Sequence, residues 1–227
     1  MKLLKLISTL LDYPDDALWE HREELVAALA EVELSEPRRM ALQGFVGILL
    51  EQESLTSQDA WLATFDRGRA MSLLLFEHIH GESRDRGQAM ANLLEAYRRA
   101  GLELTARELP DYLPLLLEFL STRAESEVRL WLVYINHIVG MLAARAAERN
   151  SPYAVLFEIL VELAEDQVDM ETLRHRASEE PRDDTPEAMD RLWEEEAVRF
   201  GSSAPDTSGA PSCRPAAAPS ARAQGQH

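Results

Sequence analysis

Apolar residues recur at steps of three and four along most of this chain, the spacing of amphipathic helices, and strand-like alternation is lacking. This pattern predicts a first short helix that ends before Asp12 and a second that begins at Asp15 or Asp16. A third helix is predicted from near Ser35, with Pro37 in its first turn. The predicted inner faces are Leu3, Leu6, Ile7, Leu10 and Leu11; Leu18, Leu25, Val26 and Leu29; and Met40, Leu42, Phe45, Ile48 and Leu49.

The second half of the chain carries the longest helical pattern, from Glu125 to Glu148. Its apolar residues form a single seam, which consists of Val128, Trp131, Ile135, Ile138 and Leu142. Before it, an amphipathic helix with Met90, Leu93, Leu94 and Tyr97 inward ends at Gly101, and Asp111 is the predicted N-cap of a helix through Leu120. After it, Pro152 begins a helix that carries Tyr153, Leu156, Phe157, Leu160 and Leu163, and Thr185 with Pro186 begins a last one that ends at 193–196.

The stretch from Trp61 to Met90 departs from this pattern. A capping box from Thr56 to Asp59 predicts a short helix that leads into it, and Asp66 is the predicted N-cap of a helix that runs to about His80. Apolar residues lie all around this predicted helix, which favours burial on every side. Its charged and imidazole groups must therefore be paired, lie at the helix ends or line a wet groove; these are Arg67, Arg69, Glu77, His78 and His80.

These elements predict an all-α protein, a single compact helical domain of roughly nine to ten helices with a disordered C-terminal tail. Residues 1–168 are the predicted helical core and residues 169–200 an acidic helical segment. Residues 201–227 contain no Leu, Ile, Val or Phe, so they cannot bury enough apolar surface to become ordered.

Charge and cysteine content narrow the classes of function. The net charge of −17 argues against nucleic acid or an anionic membrane as the main partner. The one cysteine, Cys213, lies in the tail, so neither a disulfide framework nor a Cys-rich metal site is predicted. The N-terminus does not fit a signal peptide, and the longest uncharged run, Leu130–Ala144, is shorter than the roughly 20 residues of a spanning helix. We expect a cytoplasmic protein without stable membrane insertion.

The histidines and carboxylates do not form a recognisable catalytic or metal site. His78 and His80 would lie about 200° apart around a helix, too far to bind one ion, so no metal and no cofactor is predicted. No nucleophile, phosphate loop or oxyanion device accompanies Glu77 and His78, so we do not expect an enzyme. Two interpretations remain open. The charged cluster and the segment Glu108–Pro114 line a groove for a partner helix, or they form internal salt bridges in a static adaptor or structural subunit of a larger assembly.

Four longer segments carry a resemblance to a known family. They read DRGRAMSLLLFEHIHGESRDRGQAM from Asp66, ELPDYLPLLLEFL from Glu108, SPYAVLFEIL from Ser151 and RDDTPEAMDRLWEEEAVRF from Arg182. Together they resemble the delta subunit of respiratory nitrate reductase, a family of molybdenum cofactor assembly chaperones. The resemblance covers most of the chain up to Phe200, and the tail from Gly201 does not match the family.

The resemblance implies an all-helical chaperone that is not part of the finished enzyme. Its implied client is the apo catalytic (alpha) subunit of nitrate reductase, including the N-terminal peptide of that subunit. The chaperone would keep this subunit competent for insertion of the molybdenum cofactor and an iron–sulfur cluster and would delay its docking to the membrane. Cofactor-biosynthesis proteins are a further implied class of partner. Wider relatives carry a Glu-x-Pro-Asp-His motif in their peptide-binding hinge. Glu108, Pro110 and Asp111 match it, but Tyr112 replaces the His and cannot become cationic.

The resemblance and the residue types together predict a client-peptide groove between Asp66–Arg86 and Glu108–Glu118. Its apolar floor would consist of Phe76, Leu115 and Leu116, and its rim of Arg67, Arg69, His78, Arg84, Glu108 and Asp111. The complete predicted set is Asp66, Arg67, Arg69, Phe76, Glu77, His78, His80, Arg84, Arg86, Glu108, Pro110, Asp111, Tyr112, Leu115 and Glu118.

Overall fold

The computed structural model of the chain describes residues 1–79, 84–104 and 108–191, with the side chains of residues 84 and 85 left out. These residues contain ten α-helices and no strand, which confirms the all-α class. The helices are α1 (Lys2–Leu11), α2 (Asp16–Glu20), α3 (Arg22–Glu31), α4 (Glu36–Glu51), α5 (Ser54–Phe65), α6 (Arg84–Arg99), α7 (Leu113–Ser121), α8 (Glu125–Glu148), α9 (Ala154–Leu163) and α10 (Met170–Glu179). A short 3-10 helix covers Leu75–Glu77, and residues 186–191 are helical.

Residues Met1–Met189 form one compact unit around α8. Helix α8 packs against α7, α9 and α10, and α1 packs against α3, α7 and α9. The Ser8 hydroxyl of α1 donates a hydrogen bond of 2.7 Å to the carbonyl of Pro114, so α1 and α7 are joined by a polar contact as well. Helix α8 is long and apolar enough, by length and composition, to cross a membrane, but 56% of its most apolar window is buried within the fold, as in the core helix of a soluble protein.

Several helices agree with the sequence predictions. Helix α1 is confirmed, α4 follows Ser35 with Pro37 in its first turn, and α8 has the predicted bounds. Helix α6 also ends just before Gly101, as predicted. The φ of Gly101 is 79°, which lies in the left-handed region that favours glycine.

Three residues of the predicted inner faces are exposed, and those predictions are wrong. Helix α4 buries Leu42, Phe45, Val46 and Leu49, which follow the i, i+3, i+4, i+7 stripe of one face. Met40 and Ile48 lie on the opposite side of that stripe, and in α3 Val26 is exposed beside the buried Leu25.

The predicted helix from Asp66 to His80 is also wrong. Helix α5 already begins at Ser54, before the predicted capping box, and it ends at Phe65, so that Asp66 is its C-cap residue. The chain that follows is irregular up to the 3-10 helix, and backbone groups of Ala70, Leu73 and Leu75 bond to distant residues. The apolar residues around the predicted helical wheel are buried, as expected, but as an irregular segment within the core; Met71, Leu73, Leu75 and Phe76 are examples.

Smaller differences concern helix boundaries. Tyr112, not Asp111, is the N-cap residue of α7, and α9 begins at Ala154, after a turn that contains Pro152. Helix α10 lies within residues 169–200, which were predicted as an acidic helical segment, but its bounds were not predicted; only Leu173 and Ala177 are buried in it. At the last helix the Thr185 hydroxyl accepts a hydrogen bond of 3.2 Å from the amide of residue 188, as an N-cap does.

Some predictions lie outside the described residues. They are the end of the last helix at 193–196 and the disordered tail at 201–227. The division into residues 1–168, 169–200 and 201–227 stays a prediction.

Candidate functional site

The two stretches predicted to form the groove meet in a short antiparallel pairing. Leu74 pairs with Tyr112 as an isolated β-bridge. On one side of it the Leu113 amide donates to the Leu73 carbonyl at 2.8 Å, and on the other the Leu75 amide donates to the Asp111 carbonyl at 3.0 Å. The structure therefore brings the segments together through their backbones.

Asp111 lies beneath this pairing and not on a rim. Its side chain is fully buried, at 0% exposure, and its Oδ2 accepts a hydrogen bond of 3.0 Å from the amide of Phe76. Burial raises the pKa of the Asp111 carboxyl above its usual value, against the opposing effects of the Phe76 amide and the Arg86 guanidinium. Oδ1 is buried without a hydrogen-bond partner. The predicted rim position is wrong, because the pairing turns this side chain inward, where it supports the backbone of the 3-10 helix.

An apolar groove of about 440 Å³ opens beside the 3-10 helix. Its walls come from residues 75–79, α6, α7 and α8. The lining residues are Leu75, Phe76, Ile79, Ala89, Asn92, Leu93, Ala96, Leu116, Leu130, Trp131, Tyr134, Ile135 and Ile138. Leu130 is 74% exposed and Tyr134 66% exposed, so α8 presents large apolar side chains at the edge of the groove. Such a surface is typical of a binding site for an apolar partner.

Only some of the predicted floor and rim belongs to this groove. Phe76 and Leu116 line it as predicted, while Leu115 is half-buried and does not. Glu77 and Arg86 form a half-buried ion pair at 3.9 Å. Both are next to lining residues: Glu77 follows Phe76, and Arg86 lies one turn before Ala89 on α6. Both therefore lie close in sequence to residues that line the groove.

His78 supports the segment from within. Its Nε2–H donates a hydrogen bond of 2.8 Å to the carbonyl of Ser72. Burial lowers the pKa of His78, and the Arg145 guanidinium acts in the same direction, so the ring is neutral at pH 7. The argument that His78 and His80 diverge around a helix does not apply, because His78 lies in a turn and His80 lies outside the described residues.

Three predicted residues of the second stretch face other parts of the fold. The Tyr112 hydroxyl donates to Asp12 Oδ1 at 2.9 Å, and burial together with Asp12 raises the pKa of this phenol. Glu118 pairs with Lys5 of α1. Pro110 is buried, and its carbonyl accepts a hydrogen bond of 2.8 Å from the hydroxyl of Tyr97.

The remaining predicted residues lie at the surface or outside the description. Asp66, Arg67 and Arg69 are exposed in the loop after α5, and Glu108 is exposed before the pairing. The side chain of Arg84 is not described. Whether any residue of the predicted set contacts a client stays a prediction.

Sequence reasoning missed the walls that α6 and α8 contribute. Leu130 and Tyr134 are large apolar residues that fall outside the seam of α8. That position, apolar but off the seam, is the signal that could have revealed them. In the part of the chain that the structure describes, no group of three or more His, Cys, Asp and Glu side chains could hold a metal ion. The arrangement is suited to binding an apolar helix face.

Comparison with known proteins connects this fold to one family. Residues 31–158 match the family described as nitrate reductase delta subunit. The chain is 48% identical over 198 residues to the nitrate reductase molybdenum cofactor assembly chaperone NarJ of Escherichia coli strain K12, which covers 87% of this chain and 84% of that protein. It is also 44% identical over 200 residues to NarW of the same strain, a probable nitrate reductase molybdenum cofactor assembly chaperone. That match covers 88% of this chain and 84% of NarW. A probable NarJ chaperone of Bacillus subtilis strain 168 is 31% identical over 157 residues, with 68% and 84% covered.

Proposed function

This chain belongs to the nitrate reductase delta subunit family, and from that premise we propose that it is a dedicated assembly chaperone of respiratory nitrate reductase. It binds the apo catalytic (alpha) subunit, including the N-terminal peptide of that subunit. It keeps the subunit competent for insertion of the molybdenum cofactor and an iron–sulfur cluster, and it delays docking to the membrane. Its work is binding and release, without turnover of a substrate.

The observation that supports a binding role is the apolar groove beside the 3-10 helix. Helix α8 alone contributes five large aliphatic or aromatic side chains to the lining of the groove. They are Leu130, Trp131, Tyr134, Ile135 and Ile138. An amphipathic helix binds such a groove through side chains at i, i+3 or i+4, and i+7. The exposed Leu130 and Tyr134 lose contact with water when a peptide covers them, which favours binding.

We place the N-terminal peptide of the client in this groove, with its apolar face on Phe76, Leu93 and Leu116. The ion pair of Glu77 and Arg86, whose members lie close in sequence to the lining residues Phe76 and Ala89, would contact the polar edge of the peptide. The pair is half-buried and its charged atoms are 3.9 Å apart, so a charged group of the peptide can replace either residue as the ion-pair partner of the other.

The same proposal sets the surroundings in which the chain works. We expect it to act in the cytoplasm, without its own cofactor, without binding nucleic acid and without stable insertion into a membrane. Proteins of cofactor biosynthesis are possible further partners, since they must reach the client while the chaperone holds it.

Co-purification tests this function. The tagged chain, co-expressed with the catalytic subunit of nitrate reductase, should retain the apo form of that subunit, and a synthetic N-terminal peptide of the subunit should displace it. The mature, membrane-bound enzyme should lack the chain. Retention of the chain in stoichiometric amounts in the finished enzyme would instead identify a structural subunit, and absence of binding to the apo subunit would refute the proposal.

A further inference from the structure

A short acidic segment after α10 is bonded to the loop that leads into the groove. Asp183 is the centre of this contact. Its Oδ2 accepts a hydrogen bond of 2.7 Å from the amide of Ala70, and its Oδ1 accepts one of 2.8 Å from Nη2 of Arg149. Arg149 is the C-cap residue of α8, and its side chain is only 10% exposed. Both oxygens of Asp183 are therefore used, one on the loop and one on the central helix.

The carbonyl of Ala70 is fixed by a second arginine of α8. Nη1 of Arg145 donates to this carbonyl at 2.8 Å, while Nε and Nη2 of the same side chain donate to the two carboxylate oxygens of Glu180 at 2.7 and 2.8 Å. The amide and the carbonyl of one loop residue are thus both held by charged side chains from elsewhere in the fold. Hydrogen bonds with a charged partner are the stronger ones in proteins.

The loop approaches Asp183 closely because Gly68 has no side chain. A Cβ atom added at Gly68 would lie 2.6 Å from both Cγ and Oδ2 of Asp183. Real Cβ atoms do not come so near, so any larger residue would displace the carboxylate or the loop. Asp183 itself lies beyond residues 31–158, which match the family model, and within the segment from Arg182 that resembles the family.

This contact lies just upstream of the groove wall. From Gly68 to Leu74 the chain has no regular structure of its own, and holding each such residue in one conformation costs conformational entropy. Two residues after Ala70, the carbonyl of Ser72 accepts a hydrogen bond from the His78 ring. The wall residues Leu75 and Phe76 lie between Ser72 and His78 in the chain. Fixing Ala70 therefore reduces the number of conformations open to the wall.

We propose that Asp183 is a positioning residue for client-peptide binding. It does not touch the peptide; it holds Gly68 and Ala70 so that the wall at residues 75–79 is already in its binding conformation before the peptide arrives. This inference rests on the function proposed above. The segment after α10 thus helps to form the groove, although none of its residues lines it.

The test measures binding of a synthetic N-terminal peptide of the catalytic subunit to the full chain and to the variants Asp183→Ala, Asp183→Asn and Gly68→Ala. If the wall is competent in only about 10–20% of molecules once the contact is lost, the dissociation constant of Asp183→Ala rises about 5- to 10-fold. The increase should come from slower association, with the dissociation rate unchanged, because the bound peptide restores the wall. Asp183→Asn keeps an oxygen for the Ala70 amide and should show a smaller effect.

Gly68→Ala provides an independent route to the same contact. Alone it should weaken the peptide about as much as Asp183→Ala, because the new methyl group displaces the carboxylate. The double variant should bind no more weakly than Asp183→Ala alone, since the group that clashes has been removed. Glu179→Gln, an exposed carboxylate of α10, and Gly44→Ala, where no atom lies within 4 Å, are the matched controls and should bind like the wild type.

Faster hydrogen exchange at the Ala70 amide in Asp183→Ala would confirm that the contact has been lost even if peptide binding were hard to measure. Wild-type affinity and association rate in Asp183→Ala, with that amide exchanging faster, would overturn the positioning role while leaving the proposed function intact. Unchanged exchange at Ala70 would also overturn it. Failure of the wild-type chain to bind the peptide would refute the proposed function, and this inference with it.

Discussion

Replacement of Asp111 by alanine removes the buried carboxylate that lies beneath the pairing of the two groove segments. The amide of Phe76, which donates to Asp111 at 3.0 Å, would then be buried without an acceptor. An unsatisfied buried donor costs about 1–3 kcal/mol, and loss of a buried carboxylate offsets part of this by removing its own cost of burial. We expect a net loss of about 2 kcal/mol, out of the 5–15 kcal/mol typical of a domain. In a unit of this size the melting temperature should fall by roughly 4–8 °C.

Asp111→Asn separates the hydrogen bond from the charge. Asparagine has nearly the same shape and keeps an oxygen for the Phe76 amide, so the loss of stability should be less than about 1 kcal/mol. Because Asp111 is fully buried in the free chain, we expect Asp111→Asn to bind the client peptide within about twofold of the wild type. A carboxylate on the rim would behave in the opposite way, with little change in stability and a marked loss of affinity.

The pH dependence of stability gives an independent check on the same residue. The folded-state pKa of Asp111 lies above its usual value of 3.8, so the folded chain binds a proton more tightly than the unfolded chain. The stability from this proton is present below about pH 4 and is lost as the pH rises through the folded-state pKa. Asp111→Asn does not titrate, so the stability of the wild type relative to this variant should fall as the pH is raised from 4.

Urea unfolding of both variants at several pH values, together with Glu108→Ala as an exposed control from the same segment, measures these effects. Equal and small losses in Asp111→Ala and Asp111→Asn would refute the idea that the hydrogen bond to Phe76 holds the segment. If the stability of the wild type relative to Asp111→Asn rose with pH, the result would contradict the direction of the pKa shift.

Other predictions follow from packing and composition. Gly140→Ala should destabilise the chain by about 1 kcal/mol, since its Cβ would lie 2.8 Å from Cδ1 of Leu173, whereas Gly44→Ala, with open space around it, should stabilise by about 0.5–1 kcal/mol; thermal melts measure both. Deletion of residues 201–227 should leave the melting temperature unchanged within error, and a loss of several degrees would show that the tail packs on the rest. The purified chain should turn over neither nucleotides nor molybdopterin, and an activity abolished by Glu77→Gln would contradict this.

Helices with a clear apolar stripe could be predicted from the sequence almost to the residue. Helix α8 has the predicted bounds, and four of its five predicted seam residues are buried while Trp131 is half-buried, because a stripe of this length leaves one consistent register. The bounds of helix α10 were not predicted within the acidic segment 169–200, since its buried residues Leu173 and Ala177 pack against Ala144, which is far away in the chain. A local pattern does not contain such a contact.

The central stretch shows the same limit for the site. Apolar residues on all sides of Asp66–His80 fit a buried helix and a buried irregular segment equally well. The choice is made by partners about 40 and 110 residues further along the chain, Asp111 and Asp183, which bind backbone groups that a helix would have used itself. The meeting of the two segments was predicted through the family resemblance. The inward direction of Asp111 and the contribution of α8 to the groove required the structure.

The central claim is that the apolar groove binds the N-terminal peptide of the catalytic subunit, and calorimetric titration of that peptide tests it most directly. Leu130→Ala and Tyr134→Ala each remove a groove side chain that is largely exposed in the free chain, so folding should be little affected. Leu55→Ala is the matched control, a helical leucine that is 70% exposed but does not line the groove. Each groove variant should weaken binding by about 1–2 kcal/mol, roughly 5- to 30-fold, while Leu55→Ala binds like the wild type. Wild-type affinity in both groove variants, with the peptide still bound, would show that the peptide binds elsewhere.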